Sequence, residues 1–144
     1  MRTASRCLCL LALSAALAAR AAPMTGDWAY TGAMSDAIYG EPEQLFMTVQ
    51  VVGQKVCGRY MSVHRGGMKV AEGLFHGAVG ADRVTVTYEA GSGGITGSGM
   101  GSLRMRGQLL EWRVTQPGPD PDYMVCTAKL RRASAKLEKP AKCE

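Results

Sequence analysis

Several things are scarce in this chain of 144 residues, and each scarcity removes a class of function. There are two histidines, His64 and His76, with no HxH or HxxxH spacing between them. The methionines, among them Met61, Met68, Met100 and Met105, form no MxM or MxxM cluster, so a soft-metal site is not expected and core filling is. Aromatic residues make up only 6%, too few to interleave with bases as nucleic-acid binding requires. No CxxC occurs, which disfavours a redox pair or a zinc knuckle. The glycine-dense segment Gly91–Gly101 lacks the Gly-Lys-Ser/Thr end of a phosphate loop and is not a Gly-x-Ser-x-Gly elbow. Asp120 and Asp122 could form a carboxylate pair, but flanking prolines place them in an exposed loop. No catalytic motif or cofactor motif emerges, and the chain is not expected to be an enzyme.

Long hydrophobic runs are also missing. The longest, Cys7–Ala19, is shorter than the roughly 20 residues a membrane helix needs. It follows the basic residues Arg2 and Arg6 and precedes Ala19-Arg20-Ala21, small residues where a signal peptidase reads. Residues 1–21 therefore read as a secretory signal peptide, cleaved after Ala21, with the mature protein secreted or periplasmic and without a transmembrane segment. Cleavage removes Arg2, Arg6 and Arg20, so the formal charge of +5 falls to +2. Lys129, Arg131, Arg132, Lys136, Lys139 and Lys142, against Glu138 and Glu144, concentrate +4 toward the C-terminus and leave a body near −2. This reads as a solvated basic tail over 133–144, not as a nucleic-acid footprint.

What is plentiful is glycine between alternating apolar residues, the signature of short strands and tight turns. Three segments, 50–60, 77–88 and 103–112, each read as an arm, a glycine turn (Gly53-Gln54, Gly80–Asp82, Gly107-Gln108) and an arm ending in an aromatic residue. Helical periodicity is absent except for a hint over 133–139. Strands are expected at 26–31, 45–52, 55–64, 69–79, 83–89, 97–105, 109–115 and 123–131. Loops are expected at Ser35–Gln44 and Gln116–Asp122, where prolines cannot join a ladder. Gly91–Gly101 is either a hairpin tip or a pliant strand. Eight antiparallel strands over 22–132 predict an all-β single domain, a meander closing into a small barrel, with a two-sheet sandwich as the alternative. Small side chains are compatible with either a collapsed or a hollow interior.

Three cysteines follow the leader: Cys57, Cys126 and Cys143. In an oxidising compartment two should pair. Cys57–Cys126 is expected first, because both lie in strand-like segments and the parity of Met124, Cys126, Ala128 and Leu130 points Cys126 inward. Cys57–Cys143 is the alternative.

Gly26-Asp27-Trp28 opens the first strand. It resembles the Gly-x-Trp that begins the barrel in the calycin superfamily, the group of lipocalins and avidins. The resemblance implies that Trp28 closes one barrel end beneath a basic residue of the last strand, Arg131 or Arg132. No ligand-contacting pattern of that group is present. The expected function is an extracytoplasmic β-barrel whose mouth or surface binds a small apolar or amphipathic ligand, or else a protein-interaction module such as an inhibitor of a lysozyme or protease. A cavity in the barrel supports the first, and a packed interior with a protruding loop the second.

Overall fold

The computed structural model describes residues 16, 20–34, 42–64, 69–90, 96–134 and 143. Eight strands run β1 (Gly26–Thr31), β2 (Gln44–Val52), β3 (Lys55–His64), β4 (Lys69–Val79), β5 (Val84–Ala90), β6 (Gly97–Arg106), β7 (Leu109–Gln116) and β8 (Thr127–Arg132). Each is antiparallel to the next, and β8 returns to pair with β1, giving a closed barrel. A closed ring leaves no long sheet edge for another chain to join. Two of the turns at one end depend on glycine, since Gly53 and Gly107 have φ of 60° and 61°, a region that side chains with a Cβ avoid. The expected helix over 133–139 and most of the loop Ser35–Gln44 fall outside the described residues, as do 91–95.

Alternation sends one face of each strand inward, and the interior is full. Trp28, Leu45, Phe75, Val86, Leu103, Leu110 and Leu130 are no more than 1% exposed. Large rings fit because glycines stand across from them. Tyr60 pairs with Gly73, Phe75 with Gly58 and Tyr88 with Gly99. A Cβ on Gly58 or Gly99 would overlap the ring opposite, and one on Gly101 would overlap Trp112. The rings then meet edge to face, Tyr60 on Tyr88 at 6.0 Å and Tyr88 on Trp112 at 5.7 Å between centroids. That geometry adds about 0.5–1.5 kcal/mol per pair beyond burial.

Both ends are plugged by chain. At the end holding the three glycine turns, a 3-10 turn (Ala22–Met24) lays Met24 under the barrel, and Trp28 Nε1 donates to Met24 O at 2.7 Å. Arg132 lies over the Trp28 ring at 4.0 Å and donates to Thr25 O and Pro23 O. Gly26 permits this contact. Its φ of 137° is a glycine conformation, and the Arg132 guanidinium occupies the space its Cβ would take. Arg131 is the adjacent residue on the strand and faces the other way.

At the opposite end the segment before β8 is a plug rather than a strand. Here the expectation of a strand from residue 123 is corrected. A 3-10 turn (Pro121–Tyr123), capped by the Asp120 carboxylate, leads into Met124 and Val125, which are both buried. Two consecutive buried residues break strand alternation. Val125 N–H donates to Ser62 Oγ at 3.0 Å and Val125 O accepts from Trp112 Nε1 at 2.8 Å. These bonds satisfy polar groups that would otherwise be stranded in the core.

The disulfide is likewise corrected. Cys57 bonds Cys143, not Cys126. Cys126 sits outside β8, just before it starts, and is an exposed free thiol. Its inward parity is lost because Met124 and Val125, both buried, break the alternation just before it, although its carbonyl already accepts from Val114 N–H at 2.8 Å. Cys143 is held at the outer wall of β3, with its Sγ 3.7 Å from Gln50 O. A disulfide belongs to an oxidising compartment. No helix of the described residues is long and apolar enough to cross a membrane.

Candidate functional site

With the barrel axis filled, the grooves of interest lie on the outer wall. One, of about 610 Å³, starts at Arg83, crosses β6, β7 and β8, and ends against Tyr30 of β1. It is lined by Arg83, Arg104, Arg106, Arg113 and Lys129, with Glu111 among them. Strand register explains the grouping. Glu111 is the cross-strand partner of Arg104 on one side and Lys129 on the other. Arg83, one residue before β5, falls beside Arg104 because Val84 pairs with Leu103. One residue row thus carries Arg83, just before β5, with Arg104, Glu111 and Lys129 on β6, β7 and β8. The next outward row carries Ser102, Arg113 and Thr127.

Glu111 Oε2 lies 3.4 Å from Arg106 Nε, and Asp82 Oδ2 lies 2.9 Å from Arg83 Nη2. The hydrogen bond from Arg83, reinforced by the charges of Arg83 and Arg104, holds the Asp82 carboxyl below its ordinary range. Two carboxylates against five cations leave the groove strongly positive.

The opposite wall differs. A groove of about 650 Å³ over β2–β4 is lined by Phe46, Met61 and Leu74 with Arg59, Glu72 and Glu89. Beneath it the Tyr60 hydroxyl donates to the main-chain oxygen of Glu89, and the Glu89 carboxylate accepts from Leu74 N–H at 2.9 Å. Burial, aided by Tyr88 and Glu89, pushes Tyr60 up to about 12. An unfolded tyrosine titrates near 10, so Tyr60 contributes stability that is complete below pH of about 10 and lost as pH rises toward about 12. Urea midpoints of a Cys126→Ser protein should fall across that window, and Tyr60→Phe should flatten the fall. A midpoint that is flat in the parent would contradict the assignment.

The other residues singled out in the sequence hold structural positions. His64 Nδ1 sits 2.5 Å from Glu43 Oε1, and His76 is exposed on β4. Asp120 caps the 3-10 turn, accepting from Asp122 N–H, and its carboxylate stands 3.9 Å from Lys69, which lies over the Tyr123 ring. Of the methionines named above, Met105 packs against the core and Met61 is half-buried, but Met100 is exposed, against the expectation of core filling, and Met68 lies outside the described residues. Met24, Met47 and Met124 are the ones that fill the core. Among the described residues no three His, Cys, Asp or Glu side chains come together as a metal site.

The basic groove is what sequence reasoning missed. The bases before Lys129 look scattered in a body of low net charge. Sorting each expected strand by parity would have marked Arg83, Arg104, Arg113 and Lys129 as outward, though not that they adjoin. No protein-family model matches the chain, and no curated protein or solved structure is significantly similar to it.

Proposed function

We propose that this protein is a small extracytoplasmic binding protein, calycin-like in its barrel and its Trp28–Arg132 closure, that engages its partner on the outside of a sealed barrel. The packed interior carries this reading. A ligand inside would have to displace Tyr88 or Trp112, whose rings are seated on glycines and 2% exposed. The basic groove over β6–β8 is the contact face, and its charge selects an anionic partner. The sealed interior also suits a protein-interaction module such as an enzyme inhibitor. That second reading would use the loop Gln116–Asp122, whose prolines stay exposed while Met124 and Val125 behind it plug the barrel end.

The two tryptophans, Trp28 and Trp112, both lie inside the barrel and report on its occupancy. Titration with cis-parinaric acid, a fluorescent fatty acid, is expected to give no saturable energy transfer from them. Stoichiometric uptake with a shift in tryptophan emission would replace this reading with an internal apolar-ligand site.

A further inference from the structure

Taking the outer-wall reading as its basis, we infer that the basic groove binds a linear polyanion of the anionic-glycan class, with Glu111 limiting how tightly. The row from Arg83 to Lys129 spans three strand intervals, about 14 Å, and Arg106 and Arg113 lie about 7 Å to either side along their strands. A single phosphate or carboxylate can engage two or three of these cations, and the set is spread too far for one anion to use. A chain with charges repeated along its length meets them all.

The lining also discriminates among polyanions. None of the exposed large apolar residues, Met34, Val52, Val70, Leu74 and Met100, lines the groove. A folded acidic protein would therefore find no apolar anchor of the kind that dominates protein interfaces. Trp112 turns its ring inward, which leaves Tyr30 at one end as the only aromatic surface of the groove among the described residues, too little to stack successive bases. Between the cations stand the hydroxyls of Ser102 and Thr127, suited to sugar hydroxyls. Glu111 sits at the centre, flanked by Arg104 and Lys129 and paired with Arg106. Its carboxylate repels an anion laid across the cations.

The test is binding of a fluorescent galacturonate decamer to the intact, oxidised protein. Galacturonate monomer, polyphosphate of equal charge, a thymidine decamer and phosphatidylglycerol vesicles serve as competitors. The decamer is expected to bind with an affinity that drops at least about tenfold between about 50 and about 300 mM salt, as screening of exposed charges requires. Arg104→Gln, Arg113→Gln and Lys129→Gln should each weaken it by about tenfold, roughly one lost charge-assisted contact. Glu111→Gln should tighten it. Lys55→Gln, at the far wall, should change it less than about twofold. Monomer competing as well as decamer, tighter binding of the thymidine decamer, polyphosphate or vesicles, a Lys55→Gln loss equal to that of Arg104→Gln, or a weakening by Glu111→Gln would each overturn the proposal. Failure here while parinaric acid stays excluded removes the glycan class and leaves the outer-wall reading standing. Uptake of parinaric acid removes that reading itself.

Discussion

Trp28→Ala is expected to lower the unfolding free energy by about 3–5 kcal/mol, the usual cost of truncating a fully buried aromatic side chain. Trp28 is 0% exposed and carries three things at once: the barrel floor, the hydrogen bond to Met24 O and the ring under Arg132. Arg132→Ala should cost less, about 1–3 kcal/mol, from the lost cation–π contact and the lost hydrogen bonds to Pro23 O and Thr25 O. Arg131→Ala, next along the strand but facing away, should stay within about 0.5 kcal/mol of the parent. Urea midpoints of the three variants decide it. A negligible change for Trp28→Ala, or a larger effect at Arg131 than at Arg132, would mean that this end of the barrel is not closed as described.

Breaking the disulfide should have an effect of similar size for a different reason. Cys57 and Cys143 are 86 residues apart in sequence, and a loop of that length removes about 4.5 kcal/mol of chain entropy from the unfolded state in the simplest treatment. The bond also spans the weakest seam of the barrel. β1 and β8 share only two register pairs, Trp28 with Arg132 and Ala29 with Arg131. The disulfide joins β3, beyond one side of that seam, to the chain that leaves β8 on the other. Cys143→Ser and reduction of the parent should lower the urea midpoint alike, while Cys126→Ser should leave it unchanged. Non-reducing peptide maps must link Cys57 to Cys143. A Cys57–Cys126 linkage would refute the pairing.

Most of the architecture was legible in the sequence because each strand carries its own period and each turn its own glycine. Val84, Val86 and Tyr88 alternate with Thr85, Thr87 and Glu89, and seven expected strands match the observed ones to within a residue at each end. The eighth failed where local pattern and tertiary role diverge. Met124 looks like the first inward residue of a strand, but the prolines before it steer the chain across the barrel end, and Val125 is buried alongside it. That error carried Cys126 with it and so misassigned the disulfide. Cys57–Cys143 stood only as the alternative, because the position of Cys143 depends on where the end of β8 and the outer face of β3 lie in space. The interior was undecidable for a similar reason. Small residues such as Gly58, Gly99 and Gly101 suggest a hollow until the register sets a ring against each. The basic groove required the register as well, since its cations come from β6, β7, β8 and the residue just before β5.

Closure between the first strand and the last has a consequence for how the chain reaches its native state. Seven hairpin-linked strands can form as soon as they are made, yet none of these partial sheets is finished. Until β8 arrives, β7 and β1 each present an unpaired edge, and the apolar inner faces of both lie open. Such edges invite pairing with other copies. The joining contact is the most distant in sequence that the sheet contains, so it is slow to find. The interval between synthesis of β7 and docking of β8 onto β1 is therefore when this protein is most exposed to aggregation, and a chaperone that shields it has to act then.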